Sequence, residues 1–264
     1  MRVSVFTSNQ PRHIALIESL AAIADEVFAI QECNTVFPGQ VQDFFGKSPV
    51  MQDYFSRVIA AEREVFGDIR FPPANVRQLS VKMGDISKLD LATLEPAMSA
   101  DVFIVFSASY IKGTLCDRLV QRRAINIHMG VSPYYRGSST NFWAMYDRRP
   151  QFVGATLHLL SSGLDSGPML FHALPKAVSV DPFVFGMRAV RAAHLALVEH
   201  VKQRTLFDLS PIEQDRSKEL RYTRNADFTD AVAAEYLARL PTPQQMLADV
   251  QHRDLSQFLR PIVT

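Results

Sequence analysis

The chain has 264 residues, of which 47% are hydrophobic and 21% are charged. A chain of this length and composition buries a sizeable core without cross-links, which excludes a small disulfide- or metal-held scaffold and a wholly disordered protein. Its 28 Lys and Arg nearly balance its 27 Asp and Glu, so the overall charge does not indicate a nucleic-acid partner.

The chain begins with a strand, a helix and a second strand. Val3 to Phe6 is a β-branched and aromatic run, Pro11 to Ala24 has apolar residues at helical spacing, and Val27 to Ile30 is a second apolar run. This order and spacing predict the start of a parallel sheet with a right-handed crossover.

The sheet continues beyond a predicted helical insertion. Aromatic and charged residues at helical spacing over 40–66 predict this insertion at about 40–70, ended by Phe71-Pro72-Pro73. A short helix is predicted at 91–98. Strands are predicted at 2–7, 26–31, 76–82, 101–106, 124–128, 152–160 and 169–174. The last two are close in the chain, so we expect them to form an antiparallel pair at one edge of the sheet.

The last third of the chain is predicted to be mostly helical, with a long helix at 183–204 and shorter ones at 227–239 and 242–258. The expected fold class is therefore α/β: a Rossmann-like, open, twisted, mostly parallel sheet with helices on both faces and a short helical C-terminal extension. We expect a catalytic domain over 1–205 and the extension over 206–264.

The sequence shows no pattern typical of export, membrane insertion or metal binding. Cys33 and Cys116 lie far apart and outside any metal-ligand spacing, which favours a reducing compartment. The first apolar run is too short for a signal peptide, and no segment approaches the ~18 apolar residues of a membrane span. We expect a cytoplasmic protein without metal or membrane association.

Two polar motifs follow buried strands. Asn126 and His128 end the strand at 124–128, and their spacing places both side chains on one face. Asp165 lies in the glycine-bracketed loop Gly163 to Pro168, between the last two strands. Each residue alone is more often structural than catalytic. Together, an amide, an imidazole and a carboxylate suit acyl transfer, in which negative charge develops on a carbonyl oxygen.

The segments INIHMGVSPYYRG (125–137) and VGATLHLLSSGLDSGPML (153–170) together resemble the folate-dependent formyltransferase family. That family includes glycinamide ribonucleotide, methionyl-tRNA and sugar-nucleotide N-formyltransferases. The similarity is strongest over residues 101–174. It implies the formyltransferase fold, 10-formyltetrahydrofolate as co-substrate and no metal.

The resemblance also assigns roles to residues. Asn126, His128 and Asp165 match the family's catalytic residues. Asn126 and protonated His128 would donate hydrogen bonds to the developing oxyanion, while Asp165 would orient the imidazole, favour its charged form and help relay a proton. Residues expected to contact the folate are Phe106, Ser107, Ala108, Ser109, Tyr110, Ile111, Leu160, Gly163 and Leu164. The chain departs from the family at Met129, Gly130 and Ser132, in the loop after His128.

Four further residues are candidates for binding the acceptor substrate. Tyr134 and Arg136 lie in a turn, where Arg136 could hold a phosphate or carboxylate or form a surface ion pair. Arg12, beside a predicted helix start, could meet a diphosphate, although the glycine-rich phosphate loop of some family members is absent from Thr7 to Arg12. His158, which matches a second family histidine, could serve the site or the core.

Within the family, the sugar-nucleotide N-formyltransferases fit best. The extension lacks a basic stripe, which makes the tRNA enzymes the weaker alternative. The acceptor implied is an amino-sugar nucleotide, such as GDP-perosamine or a dTDP-4-amino-4,6-dideoxy sugar, used in O-antigen or polysaccharide precursor synthesis. A non-catalytic folate- or nucleotide-binding module is the alternative from another class. A homodimer through the C-terminal helices or an edge strand is also open.

Overall fold

The computed structural model describes residues 1–35 and 48–264. The strands are β1 (Arg2–Ser8), β2 (Glu26–Cys33), β3 (Val76–Lys82), β4 (Val102–Phe106), β5 (Ile125–His128), β6 (Tyr135–Gly137), β7 (Ala155–Leu159), β8 (Met169–Leu174), β9 (Arg221–Thr223) and β10 (Ile262–Val263). The helices are α1 (Pro11–Ala21), α2 (Pro49–Phe66), α3 (Glu95–Met98), α4 (Gly113–Gln121), α5 (Thr140–Tyr146), α6 (Pro182–Gln203), α7 (Asp230–Ala238) and α8 (Pro243–Gln251).

The described strands form one large sheet and one small one. The large sheet has the order β10-β8-β7-β5-β4-β1-β2-β3, and β6 pairs with β9 in the small one. β1 to β5 run parallel, whereas β7 runs antiparallel to both of its neighbours. The predicted fold class, an open and mostly parallel α/β sheet, is confirmed.

Alternate residues of β4 pack against opposite layers of helices. Ile104 and Phe106 face the cluster that includes α1 and α6, whereas Phe103 and Val105 face the cluster that includes α3 and α4. All five residues of β4 are buried, as expected of a parallel strand covered on both faces. The predicted helices on both faces are therefore present.

The predicted strand pair β7 and β8 is antiparallel but does not lie at the edge of the sheet, because β10 pairs with the outer side of β8. Some predicted ends were wrong. A 3-10 helix at Pro150–Phe152 precedes β7, and the last α-helix ends at Gln251 instead of 258. In the insertion, α2 begins at Pro49 with Ser48 as its N-cap, and residues 40–47 lie outside the described ranges.

The C-terminal extension packs closely against the rest of the chain. Tyr54 of α2 contacts Phe228 and Tyr236 of the extension, with ring centroids 5.0 and 6.3 Å apart. Phe142 of α5 contacts the same two rings. Because aromatic rings bury large areas, this cluster fixes the extension to α2 and α5. None of the helices within the described ranges is long and apolar enough to cross a membrane.

Candidate active site

Asn126 and His128 end a strand in the middle of the large sheet. β5 lies between β4 and β7, and Asn126 and His128 are only 9% and 6% exposed. Ile127 belongs to the hydrophobic core instead, because successive side chains of a strand point to opposite faces. The strand therefore presents an amide and an imidazole side by side at its carboxyl end.

Asp165 reaches these side chains from the loop between β7 and β8. Its backbone φ is 45°, in the left-handed region that Asp tolerates better than most residues. A Cβ at Gly167 would lie 1.8 Å from the carbonyl oxygen of Leu159, so only glycine lets the loop return this close to β7. Gln214 of the extension donates from Nε2 to the carbonyl oxygens of Asp165 and Gly167, at 2.8 and 3.0 Å.

The structure brings the three predicted catalytic side chains together. His128 Nδ1 lies 3.3 Å from Asp165 Oδ2, and Asn126 Nδ2 donates to Asp165 Oδ1 at 2.8 Å. Burial opposes the ionisation of Asp165, but the charge and hydrogen bond of His128 act in the other direction and hold the pKa of the carboxyl well below its ordinary value. Asp165 is therefore a stable carboxylate. It is suited to orienting the imidazole but does not readily accept a proton.

His158 lies behind Asn126 and is 1% exposed. Its Nδ1 donates to the carbonyl oxygen of Leu159 at 2.8 Å, which leaves Nε2 to accept a hydrogen bond from Asn126 Nδ2 at 3.0 Å. The amide nitrogen of Asn126 therefore donates to both His158 and Asp165. As a result, Asn126 holds the carboxylate of Asp165 in place. To donate to an oxyanion, Asn126 would have to give up its hydrogen bond to His158 or to Asp165.

His128 Nε2 is buried without a hydrogen-bond partner in the part of the chain that the structure describes. Because Nδ1 is turned to Asp165, Nε2 is the nitrogen left for a bound molecule. Asn126, His128 and Asp165 all line a cavity of about 370 Å³, called here the first cavity. This volume suits a small-molecule site.

Comparisons with known proteins identify chains to which this one is similar. No protein-family model matches the chain. The chain is 32% identical over 133 residues to the methionyl-tRNA formyltransferase of Synechococcus sp. (strain JA-3-3Ab). This match covers 48% of the chain and 39% of that relative. The corresponding enzyme of Thermotoga maritima is 30% identical over 137 positions, which cover 50% of the chain and 42% of the enzyme. The matches thus span less than half the length of these relatives.

Solved structures match over much more of the chain. A 4-N formyltransferase from Francisella tularensis has a TM-score of 0.53 at 14% identity, covering 96% of the chain and 86% of that structure. A sugar N-formyltransferase from Shewanella sp. FDAARGOS_354 has a TM-score of 0.52 at 19% identity, with coverages of 86% and 78%. The chain has the formyltransferase fold. The resemblance inferred from the two motifs is confirmed.

In this formyltransferase fold, the first cavity is lined by nearly all the residues expected to contact folate: Ser107, Ala108, Ser109, Tyr110, Ile111, Leu160, Gly163 and Leu164. Phe106 does not line it. Its ring is fully buried and packs against His13 and His194, with centroids 4.8 and 4.9 Å away, because the alternation of β4 turns it toward α1 and α6.

The loop at 107–111 is held in place by Glu32, which is fully buried near the end of β2. Its carboxylate accepts from the backbone nitrogen and the hydroxyl of Ser109, at 2.6 Å each, and from the backbone nitrogen of Gly84 at 2.8 Å. Charge-assisted hydrogen bonds of this kind are the strong ones. Glu32 therefore sets the shape of one wall of the first cavity.

Gly130, one of the positions at which the sequence departs from the formyltransferase motif, faces Thr140. A Cβ at Gly130 would lie 2.1 Å from Thr140 Oγ1 and 3.0 Å from His128 Nε2. The Thr140 hydroxyl donates to the carbonyl oxygen of Met129 and lines the first cavity. Thr140 thus occupies the space that a side chain at position 130 would need.

A second cavity, of about 500 Å³, lies beside the first. It is lined by Arg136, Gly137, Gly163, Leu164, Asp165, Ser166, Arg216, Glu219 and Tyr222. Four of these residues, Gly137, Gly163, Leu164 and Asp165, also line the first cavity, so the two cavities meet at Asp165. Of the predicted acceptor-binding residues, Arg136 is the one that lies here.

The other three predicted acceptor-binding residues line neither cavity. The Tyr134 hydroxyl donates to the carbonyl oxygen of Gln257 at 2.7 Å, Arg12 pairs with the buried Glu62 at 2.8 Å, and His158 lies behind Asn126. Each of the three has a hydrogen-bonding group engaged within the fold, and Arg12 lines a separate cavity of about 350 Å³. Their roles in acceptor binding stay predictions.

Several cavity-lining residues were not predicted. Ser138, Ser139 and Thr140 directly follow the Tyr134 to Gly137 turn, so the motif could have been extended to include them. Asn225, Arg216 and Tyr222 come from the extension and give no local signal, because they reach the site only through the pairing of β9 with β6. Within residues 1–35 and 48–264, no group of three His, Cys, Asp or Glu side chains could hold a metal ion.

Proposed function

We propose that this protein transfers a formyl group from 10-formyltetrahydrofolate to the amine of an amino-sugar nucleotide. One observation carries the proposal: His128 offers a buried, unpartnered Nε2 in a small-molecule cavity, while Asp165 holds the opposite side of its ring. A protonated imidazole in this position is a donor aimed at the place where negative charge develops during acyl transfer.

The first cavity fits the formyl donor. Its walls combine the loop at 107–111 with Leu160 and Leu164, so polar and apolar residues line it together, which suits a flat heterocycle. A solved formyltransferase from Anoxybacillus kamchatkensis, with a TM-score of 0.50 at 18% identity, binds tetrahydrofolate and a formylated UDP-sugar, and its match covers 95% of this chain and 100% of that structure.

The reaction requires one new carbon–nitrogen bond and the loss of another. The acceptor amine, in its neutral form, attacks the formyl carbon, and His128 Nε2 donates a hydrogen bond to the oxygen as the carbon becomes tetrahedral. The bond from that carbon to the folate nitrogen then breaks, and a proton passes from the attacking nitrogen to the leaving nitrogen. The products are a formamide and tetrahydrofolate.

Asp165 and Asn126 support this step from the side of the ring. The carboxylate of Asp165 balances the charge of the imidazolium, and its lowered pKa keeps it ionised throughout. Asn126 fixes the carboxylate at 2.8 Å and becomes a second donor to the oxyanion when it releases Asp165 or His158. A relay of the proton through Asp165 is less favourable than a relay through water.

The acceptor class rests on both the sequence and the neighbouring cavity. GDP-perosamine and dTDP-4-amino-4,6-dideoxy sugars are the acceptors expected, and the second cavity gives such a molecule room beside Asp165. Methionyl-tRNA is the second candidate, because the sequence relatives are methionyl-tRNA formyltransferases. The roles in O-antigen or polysaccharide precursor synthesis and the homodimer stay predictions.

The direct test is formation of tetrahydrofolate from 10-formyltetrahydrofolate with a panel of amino-sugar nucleotides, with methionyl-tRNA and with no acceptor. We expect turnover with at least one sugar nucleotide. His128→Ala should lower that turnover by on the order of 10²–10³, whereas His252→Ala, at an exposed position, should not. Turnover only with tRNA would favour the second candidate, formate release without an acceptor would indicate a hydrolase, and folate binding without turnover would indicate a binding module.

A further inference from the structure

Asp165 has a backbone conformation that residues with a side chain rarely adopt. Its φ is 45°, which lies in the left-handed region. The residue stands between Gly163 and Gly167, and glycine gives the backbone on either side wide conformational freedom. A left-handed residue in such a loop persists only where surrounding contacts determine its conformation. The position of the Asp165 carboxylate therefore depends on what holds the loop.

Gln214 of the C-terminal extension holds this loop from outside the sheet. Its Nε2 donates to the carbonyl oxygen of Asp165 at 2.8 Å and to that of Gly167 at 3.0 Å. A side-chain amide nitrogen carries two hydrogens, and carbonyl oxygens only accept. Both donors of Gln214 are therefore used on the backbone of the loop, one at Asp165 itself and one two residues later.

The stretch that carries Gln214 is anchored independently of this side chain. Within 211–220, Gln214 is the one residue that is not exposed. Two residues earlier, Ile212 exchanges both backbone hydrogen bonds with Met169, at 2.7 and 2.8 Å, and Met169 begins β8 directly after the loop. Removal of the Gln214 amide should therefore leave the path of the extension unchanged.

The contacts of Gln214 lead to the imidazole through Asp165. Gln214 lines neither the first nor the second cavity, so it affects a bound molecule only through the loop. Asp165 Oδ2 lies 3.3 Å from His128 Nδ1, and Oδ1 accepts from Asn126 Nδ2 at 2.8 Å. A displacement of about 1 Å in a catalytic geometry can lower a rate by about 100-fold, so the hold on this loop matters for turnover.

We infer that Gln214 is a positioning residue for the proposed formyl transfer. It fixes the backbone at Asp165 and Gly167 so that the carboxylate meets the imidazole of His128. The C-terminal extension thus contributes to catalysis without touching the reacting atoms. The effect on turnover rests on the proposed function, but the contact between Asp165 and His128 can be measured without turnover.

The first test is NMR spectroscopy of the chain labelled with nitrogen-15 histidine, which observes the Nδ1–H proton of His128. A carboxylate only accepts, so Nδ1 carries the proton of this hydrogen bond. His128→Ala assigns the resonance. We expect Gln214→Met, which keeps the length of the side chain and removes its donors, to move the resonance toward its position in Asp165→Asn. Gln244→Met, the same change at an exposed position of α8, should leave it unmoved.

The second test is kcat for formyl transfer in these variants and in the double variant Asp165→Asn/Gln214→Met. We expect Gln214→Met and Gln214→Glu each to lower kcat by about 10-fold or more, because Glu keeps the shape of the side chain but offers the carbonyl oxygens no N–H. With Asp165→Asn already present, Gln214→Met should change kcat by less than about 2-fold, since a residue that acts through the carboxylate has no further effect once it is lost. Melting temperatures show whether each variant is folded.

Three results would overturn the inference. An unmoved His128 resonance in folded Gln214→Met would show that the carboxylate is placed without Gln214. Wild-type kcat in Gln214→Glu would show that the two donors are not needed. Equal falls in kcat from Gln214→Met with and without Asp165→Asn would show a general effect on the fold. If the wild-type chain transfers no formyl group to any acceptor, the proposed function fails, and a moved His128 resonance would still uphold the role of Gln214 in placing Asp165.

Discussion

At the scale of single residues, the contact between Gly130 and Thr140 shows how the site accommodates a departure from the formyltransferase motif. An added side chain at position 130 meets Thr140 and approaches His128 Nε2. Since protein interiors are closely packed, one of these groups must move to accept it. The glycine and the threonine therefore form a matched pair.

We predict that Gly130→Ser lowers turnover by roughly 10-fold or more, because it displaces Thr140 or crowds the imidazole. Thr140→Gly in the same chain should restore part of the loss, since it removes both Thr140 atoms nearest to the new side chain. The measurement is kcat and melting temperature for the two single variants and the double variant. Gly186→Ser is the control, because a Cβ at Gly186 meets no atom within 4 Å; wild-type turnover in Gly130→Ser alone would contradict the pairing.

At the scale of elements, the carboxyl ends of β2, β4 and β5 and the loop before β8 each supply one part of the site. Glu32 joins two of these parts, because it lies near the end of β2 and binds the loop that follows β4. It does not line the first cavity, so its contribution to function is the position of that loop.

We predict that Glu32→Gln raises the KM for 10-formyltetrahydrofolate by roughly 10-fold, because a buried charged acceptor of hydrogen bonds is lost, while kcat changes much less. Steady-state rates at varied folate and fixed acceptor measure both constants. Glu26→Gln, at the other end of β2 where Glu26 pairs with Arg77 at 3.6 Å, should leave both unchanged. A fall in kcat with an unchanged KM would contradict a positioning role.

The central elements could be predicted because their signals are local. β4 is a continuous apolar run, and β5 carries Asn126 and His128 between apolar residues, at a spacing that fixes their common face. The positions of β6, β9 and β10 could not be predicted, because strands of two or three residues form only where a distant partner is already present. Arg216 and Tyr222 were missed for the same reason: their place in the site depends on tertiary pairing.

At the scale of the whole molecule, buried histidines make the unfolding free energy depend on pH. Burial lowers the pKa of His172 to about 4 and that of His194 to about 3, and it holds the pKa of His13 well below its ordinary value. His172 Nδ1 accepts from the backbone nitrogen of Leu259 at 2.9 Å, so the neutral ring helps hold the last segment of the chain against β8.

A histidine whose pKa is lower in the folded state stabilises the protein fully above its unfolded pKa of about 6.5. Below that pH the unfolded chain binds a proton at this histidine and the folded chain does not. The unfolding free energy therefore falls until the pH reaches the folded pKa. For His172 this window runs from about 6.5 down to about 4.

We predict that the unfolding free energy of the wild-type chain falls between pH 6.5 and 4, with His172 contributing up to about 1.4 kcal/mol per pH unit. His172→Asn should flatten this fall, since the amide oxygen can still accept from Leu259 but does not titrate. Urea unfolding at pH 7, 5.5 and 4.5 measures the slope, with His252→Asn as the exposed control. Parallel curves for wild type and His172→Asn would show that another group causes the acid sensitivity.

The contact of Gln214 with the loop around Asp165 has a consequence for how such a protein can diversify. The groups that act on the formyl carbon come from β5 and the β7–β8 loop, whereas the far wall comes from a stretch of chain about fifty residues later in the sequence. Substitutions at Arg216 or Tyr222 would therefore change which molecule is modified, while Asn126, His128 and Asp165 stay the same. This holds as long as Gln214 keeps its hydrogen bonds to the loop around Asp165.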